Sequence, residues 1–149
     1  MSKQLFERPI ITRLTPGMPS KHGVGTVIPQ MSLIDGIDVD GLMEKYGSPL
    51  YVFSERTIRK AMEDIKRAFS LRYIKIQMAW SYKTNYLDAL CRIFHQEGSW
   101  AEVVSGFEYD KAIGNGVKGE NIIFNGPGKS LMDLEKAVRN GSFIHIDHR

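Results

Sequence analysis

Short apolar segments recur along this chain at intervals of 21 to 27 residues, and a stretch of helical periodicity separates each from the next. They begin at Leu50, Tyr73, Trp100, Ile122 and Phe143. Parallel strands need a crossover of about a dozen residues or more between them, usually a helix. The recurrence therefore predicts parallel βα units, with strands over 50–53, 73–80, 100–104, 122–124 and 143–146. Helix signals fall between them. Ser54 caps a stripe of Ile58, Met62, Ile65 and Phe69 at helical spacing. A helix over 86–96 is closed by Gly98, and another begins at Ser105 and ends at Gly114-Asn115-Gly116. Ser130 with Asp133 forms a capping pattern ahead of Leu131, Leu134, Ala137 and Val138, and Asn140-Gly141 ends that helix.

Both a doubly wound sheet and a (β/α)8 TIM-type barrel show this period. A complete barrel takes about 250 residues. About five parallel strands with their helices make a little over half of one, so the expected fold is α/β, a partial barrel. An open five-stranded sheet is the alternative. The domain reading places an extended or disordered arm over 1–33, where Thr15 to Gly25 is rich in proline and glycine, and the barrel portion over 34–149. Asp35-Gly36 is a turn signal, and a short helix is expected over 38–46, with Gly47 at its end and Pro49 preventing continuation.

Composition excludes several classes of function. Lysine and arginine outnumber aspartate and glutamate by 20 to 17 and are spread along the chain, which gives no nucleic-acid footprint. No apolar run approaches the roughly 20 residues that cross a bilayer, and the N-terminus has no apolar core of a signal peptide. The single cysteine, Cys91, lies among Leu87, Leu90 and Phe94 and reads as a small core residue. A soluble cytoplasmic protein is expected.

In a barrel, chemistry sits where strands end and the following loops begin. The second strand ends Ser81-Tyr82-Lys83-Thr84-Asn85, the third ends Glu102-Val103-Val104-Ser105-Gly106 with Glu108 a turn on, and the fourth ends Asn125-Gly126-Pro127-Gly128-Lys129. A lysine and two carboxylates can thus converge on one face. Each has a plain structural reading as well. Lys83 can be a solvated surface charge, Glu102 the outward position of an edge strand, and Glu108 a first-turn acid favoured by the helix dipole. The glycines after Asn125 lack phosphate-loop spacing and can be a turn. His145 and His148 lack a third ligand, so no metal is expected.

Five segments, in order, resemble the diaminopimelate/ornithine decarboxylase group of the alanine-racemase-like fold. Tyr46 to Phe53 is similar to the family's opening strand, with Ile34-Asp35-Gly36 as lead-in. Ser81 to Asn85 resembles its lysine motif, which normally ends Lys-Ala-Asn. Glu102 to Glu108 resembles Asp-Val-Val-Ser-Gly-Gly-Glu, and the segment ending at Lys129 resembles Ile-Val-Phe-Thr-Gly-Pro-Gly-Lys. Ile144 to Asp147 resembles the fifth strand. Thr84 stands for alanine, Glu102 for aspartate, Phe107 for the second glycine and His148 for a common serine.

The resemblance implies a pyridoxal 5'-phosphate enzyme in which Lys83 joins the cofactor through a Schiff base and an amino-acid substrate loses CO2. It implies that Glu102 and Glu108 position and tune that lysine. It also implies that the ring-stacking histidine, the phosphate loop, the acid on the pyridine nitrogen, a β-domain and a homodimer partner belong to later parts of such enzymes. The 149-residue chain alone is therefore expected to be an inactive N-terminal portion. A non-catalytic carrier of the cofactor, a racemase of the same fold and an interaction fragment are the competing readings.

Overall fold

A computed structural model of the chain describes residues 32–73 and 75–147. The arm expected over 1–33 lies outside the described residues except at its end, as does His148. The chain divides into two compact units, one ending at Tyr51 and one beginning at Val52.

In the first unit, β1 (Leu33–Ile34) and β2 (Ile37–Asp38) form an antiparallel hairpin. Asp35 and Gly36 turn the chain with φ of 52° and 82°; two successive positive values are what a two-residue hairpin loop requires, and Asp-Gly supplies them. Helix α1 (Val39–Tyr46) follows at once, with the Asp38 carboxylate accepting from Gly41 N at 2.7 Å. Gly47, at φ 83°, ends it.

The second unit begins with α2 (Glu55–Ser70), capped by the Ser54 hydroxyl on Thr57 N at 3.0 Å. Then β3 (Ala79–Ser81), α3 (Asp88–Gln96), β4 (Trp100–Val103), α4 (Gly106–Gly114), β5 (Ile122–Phe124), α5 (Leu131–Arg139) and β6 (Phe143–Ile144) alternate. The four strands form one parallel sheet in the order β3-β4-β5-β6. Spatial order equals chain order. A doubly wound sheet reverses direction at a switch point; this one does not, and right-handed crossovers then deliver every helix to the same face. That is the winding of part of a (β/α)8 barrel.

Strand alternation divides the two faces. Ala101, Val103, Ile122 and Phe124 are fully buried against Cys91, Tyr109, Ala112 and Ala137 of the helices, so the core lies between the sheet and α3, α4 and α5. Trp80 stacks on Phe94 at 3.7 Å between ring centroids, which fastens β3 to α3. The opposite face carries Ser81, Glu102, Ile123 and Phe143 by register, and Phe143 is exposed there.

Two strand expectations differ from the structure. Residues 50–53 form no strand, and their apolar side chains are exposed. The strand expected from Tyr73 begins only at Ala79. A run of apolar residues states that a segment suits a strand; it becomes one only when a neighbour completes its ladder, and among the described residues neither stretch has that neighbour. The paired parallel strands among the described residues are therefore four, where the pattern predicted five. Cys91 is buried, as expected, and burial pushes its thiol up.

Candidate functional site

The C-terminal ends of the strands gather the chemical residues. Tyr82 N donates to Glu102 O at 2.9 Å, so the β3–β4 ladder runs one residue past β3 and stops at Lys83. Tyr82 itself faces the core. Its ring is fully buried, and its hydroxyl lies 2.9 Å from His95 Nε2. His95 Nδ1 lies 2.8 Å from Ser99 O, a partner that can only accept. Nδ1 therefore carries the proton, and Nε2 accepts from Tyr82. Burial pushes the phenol of Tyr82 up and holds His95 down.

Beyond Lys83 the loop is fixed from behind. Trp80 Nε1 donates to Asn85 O at 3.0 Å, and Asn85 Oδ1 accepts from Leu87 N at 3.0 Å just ahead of α3. Lys83 is thus an exposed residue on a loop held at both ends. It stands two residues past Ser81, in the turn that leaves β3. Among the described residues its amine has no hydrogen-bond or ion-pair partner.

Glu102 lies in the middle of that face. Its Oε2 accepts from the Ser81 hydroxyl, and its Oε1 accepts from Asn125 Nδ2 at 3.2 Å. Asn125 Oδ1 in turn accepts from Gly126 N at 2.8 Å, which fixes the amide with its NH2 toward Glu102. Gly126 has φ of 85°, and a Cβ there would lie 2.8 Å from Val104 O. The loop after β5 can therefore rest on the end of β4 only with glycine at this position.

Glu108 is 7% exposed. The Ser105 hydroxyl caps Glu108 N, and Glu108 Oε2 accepts from Val104 N at 2.8 Å. The pair works as a capping box whose acid reaches one residue further back than usual. Lys83, Glu102 and Glu108 thus share one end of the sheet, where Glu102 is a member of a hydrogen-bonded row. The fourth strand end is held by Lys129, whose ammonium donates to Gly126 O and, at 3.0 Å, to Asp147 Oδ2. No group of three or more potential metal ligands occurs among the described residues, and no helix of the described chain is long and apolar enough to cross a membrane.

Sequence reasoning singled out Lys83, Glu102 and Glu108 but gave no role to Ser81, Asn125 or the Tyr82–His95 pair. The spacing put Ser81 and Asn125 at strand ends; what it did not contain was the register that brings both onto Glu102. An exposed amine at a strand end, beside a carboxylate already satisfied by neutral donors, suits a cofactor that is taken up through a carbonyl group.

Residues 55–147 match the family model of the pyridoxal-dependent decarboxylases, pyridoxal-binding domain. The chain is 35% identical over 117 residues to the diaminopimelate decarboxylase of Methanothermobacter thermautotrophicus, covering 78% of this chain and 27% of that protein. It is 36% identical over 107 residues to the Bacillus subtilis enzyme of the same name, covering 72% of this chain and 24% of the relative. Among solved structures, the diaminopimelate decarboxylase of M. jannaschii in complex with L-lysine superposes with a TM-score of 0.71 at 32% identity, over 76% of this chain and 27% of that one. The chain thus spans about a quarter of the length of the relatives it matches.

Proposed function

The chain belongs to the pyridoxal-dependent decarboxylases, as their pyridoxal-binding domain, and from that premise we propose that Lys83 holds pyridoxal phosphate and that the whole protein removes a carboxyl group from an amino acid. The observation that carries the reading is the Lys83 amine, exposed just past the end of β3 and unpaired among the described residues. When bound, the cofactor supplies an electron sink for a bond breaking at the substrate's α carbon. The chain's own residues do the rest. The ladder bond at Tyr82 and the Trp80–Asn85 bond hold the Lys83 loop in place. Glu102 places a fixed negative charge at the same end of the sheet. Glu108 fixes the β4–α4 junction behind it.

Relatives that carry the name diaminopimelate decarboxylase support a diamino acid of that kind as the substrate. The family resemblance supports a homodimer working in the cytoplasm. Cofactor loading is the test suited to this chain. Incubation with pyridoxal phosphate, borohydride reduction and peptide mass mapping should place the pyridoxyl group on Lys83, and Lys83→Ala should remove it. Equal labelling of several other lysines, unchanged in Lys83→Ala, sinks the assignment. For the whole protein, CO2 release is measured with diaminopimelate, ornithine, lysine and arginine; turnover of none of them ends the decarboxylase reading.

A further inference from the structure

Glu102 pairs in register with Ser81, and Lys83, of opposite charge, follows two residues later at the same end of the sheet. Opposite charges attract wherever their side chains can approach. Yet Glu102 makes no ion pair among the described residues. Both of its oxygens are taken by neutral donors from the strands on either side, Ser81 on β3 and Asn125 just past β5. The hydrogen bonds run across the strands, along the sheet and not up toward the lysine. Neutral donors on a charged acceptor make hydrogen bonds stronger than neutral pairs. Gly126 N holds the Asn125 amide with its NH2 toward Glu102.

We propose that Ser81 and Asn125 are positioning residues that pin the Glu102 carboxylate along the sheet and so prevent it from closing an ion pair with Lys83, leaving that amine available. The purpose of the device rests on the reading of Lys83 as the cofactor lysine; the row itself does not.

The test is the rate at which Lys83 is acetylated by acetic anhydride, read by peptide mass against exposed Lys118 in the same digest. This readout needs no cofactor. Ser81→Ala and Asn125→Ala should each slow Lys83 about threefold, the scale of one net hydrogen bond, because the released carboxylate pairs with the ammonium. In a Glu102→Gln background the same substitutions should have no effect, since no charge remains to release. Slowing that persists undiminished in that background, or no slowing in either single variant, overturns the proposal.

Tyr109→Phe serves as the control. It removes an equivalent hydroxyl contact, to Ser142 at 2.8 Å, in the next βα unit. If it slows Lys83 as much, the effect is general loosening and the proposal fails. Borohydride-trapped cofactor loading should fall in the same ratios across the variants. If the unmutated chain does not load while the acetylation cycle holds, the row stands and the cofactor reading falls.

Discussion

Buried Glu108 and half-buried His95 show how much a single polar group does here. Glu108 gives its carboxylate to Val104 N, a half-buried backbone donor with no other partner among the described residues. Glu108→Ala should lower stability by about 1–3 kcal/mol, the cost of an unsatisfied buried donor, as read by urea denaturation. Glu108→Gln keeps an accepting oxygen and should recover most of that loss; a glutamine variant as unstable as the alanine would show that the charge itself is needed. His95 is held below its ordinary value of 6.5 because burial disfavours the imidazolium. As pH falls, the unfolded chain therefore takes the proton first. The stability contributed by neutral His95 is complete above about pH 6.5 and is lost as pH drops from there through the folded value. Denaturation midpoints of the wild type should decline across that window more steeply than those of His95→Gln. Parallel declines would show that His95 does not titrate differently in the two states. At this scale the strand-end positions of Lys83 and Glu102, and of Glu108 in the first turn that follows, were legible from the strand period. The Tyr82–His95 and Ser81–Glu102–Asn125 contacts were not, because they join residues whose meeting depends on register.

Elements were legible wherever a local rule is enough. The caps at Ser54, Ser105 and Ser130 all form, and the strands expected from Trp100, Ile122 and Phe143 begin at those residues, whereas the one expected from Tyr73 is shortened to Ala79–Ser81. Asp35-Gly36 was readable as a turn but not as a hairpin, since the two-residue strands that flank it are too short to show alternation. The failure at 50–53 is of another kind: strand propensity is local, but a ladder is not. Gly126 gives the sharpest prediction for a junction between elements. Gly126→Ala places a Cβ against Val104 O and forces alanine to φ of 85°. Strain and overpacking together should cost about 2–4 kcal/mol and should also release Asn125 from Glu102. Thermal unfolding measures the first effect and Lys83 acetylation the second. An unchanged melting temperature would mean that the loop after β5 does not rest on β4 in solution.

For the unit that begins at Val52, the one-way winding has a physical consequence. Helices cover one face of the sheet, while the other presents Phe143, 54% exposed, tilted against Trp100 at 5.4 Å. An exposed aromatic of this kind favours association. Sedimentation velocity on the chain should show concentration-dependent self-association, and Phe143→Ser should weaken it about tenfold or more, the equivalent of roughly 1.5–3 kcal/mol for one aromatic side chain. Association of equal strength in the variant would assign the contact to another surface. The same winding also governs how the sheet can be assembled. Every ladder joins residues only 20 or 21 positions apart in the chain. When the ribosome releases a new strand, the edge it needs has just been completed. The sheet can therefore grow vectorially during synthesis, one βα unit at a time, without waiting for a distant segment, and such local closure favours rapid folding.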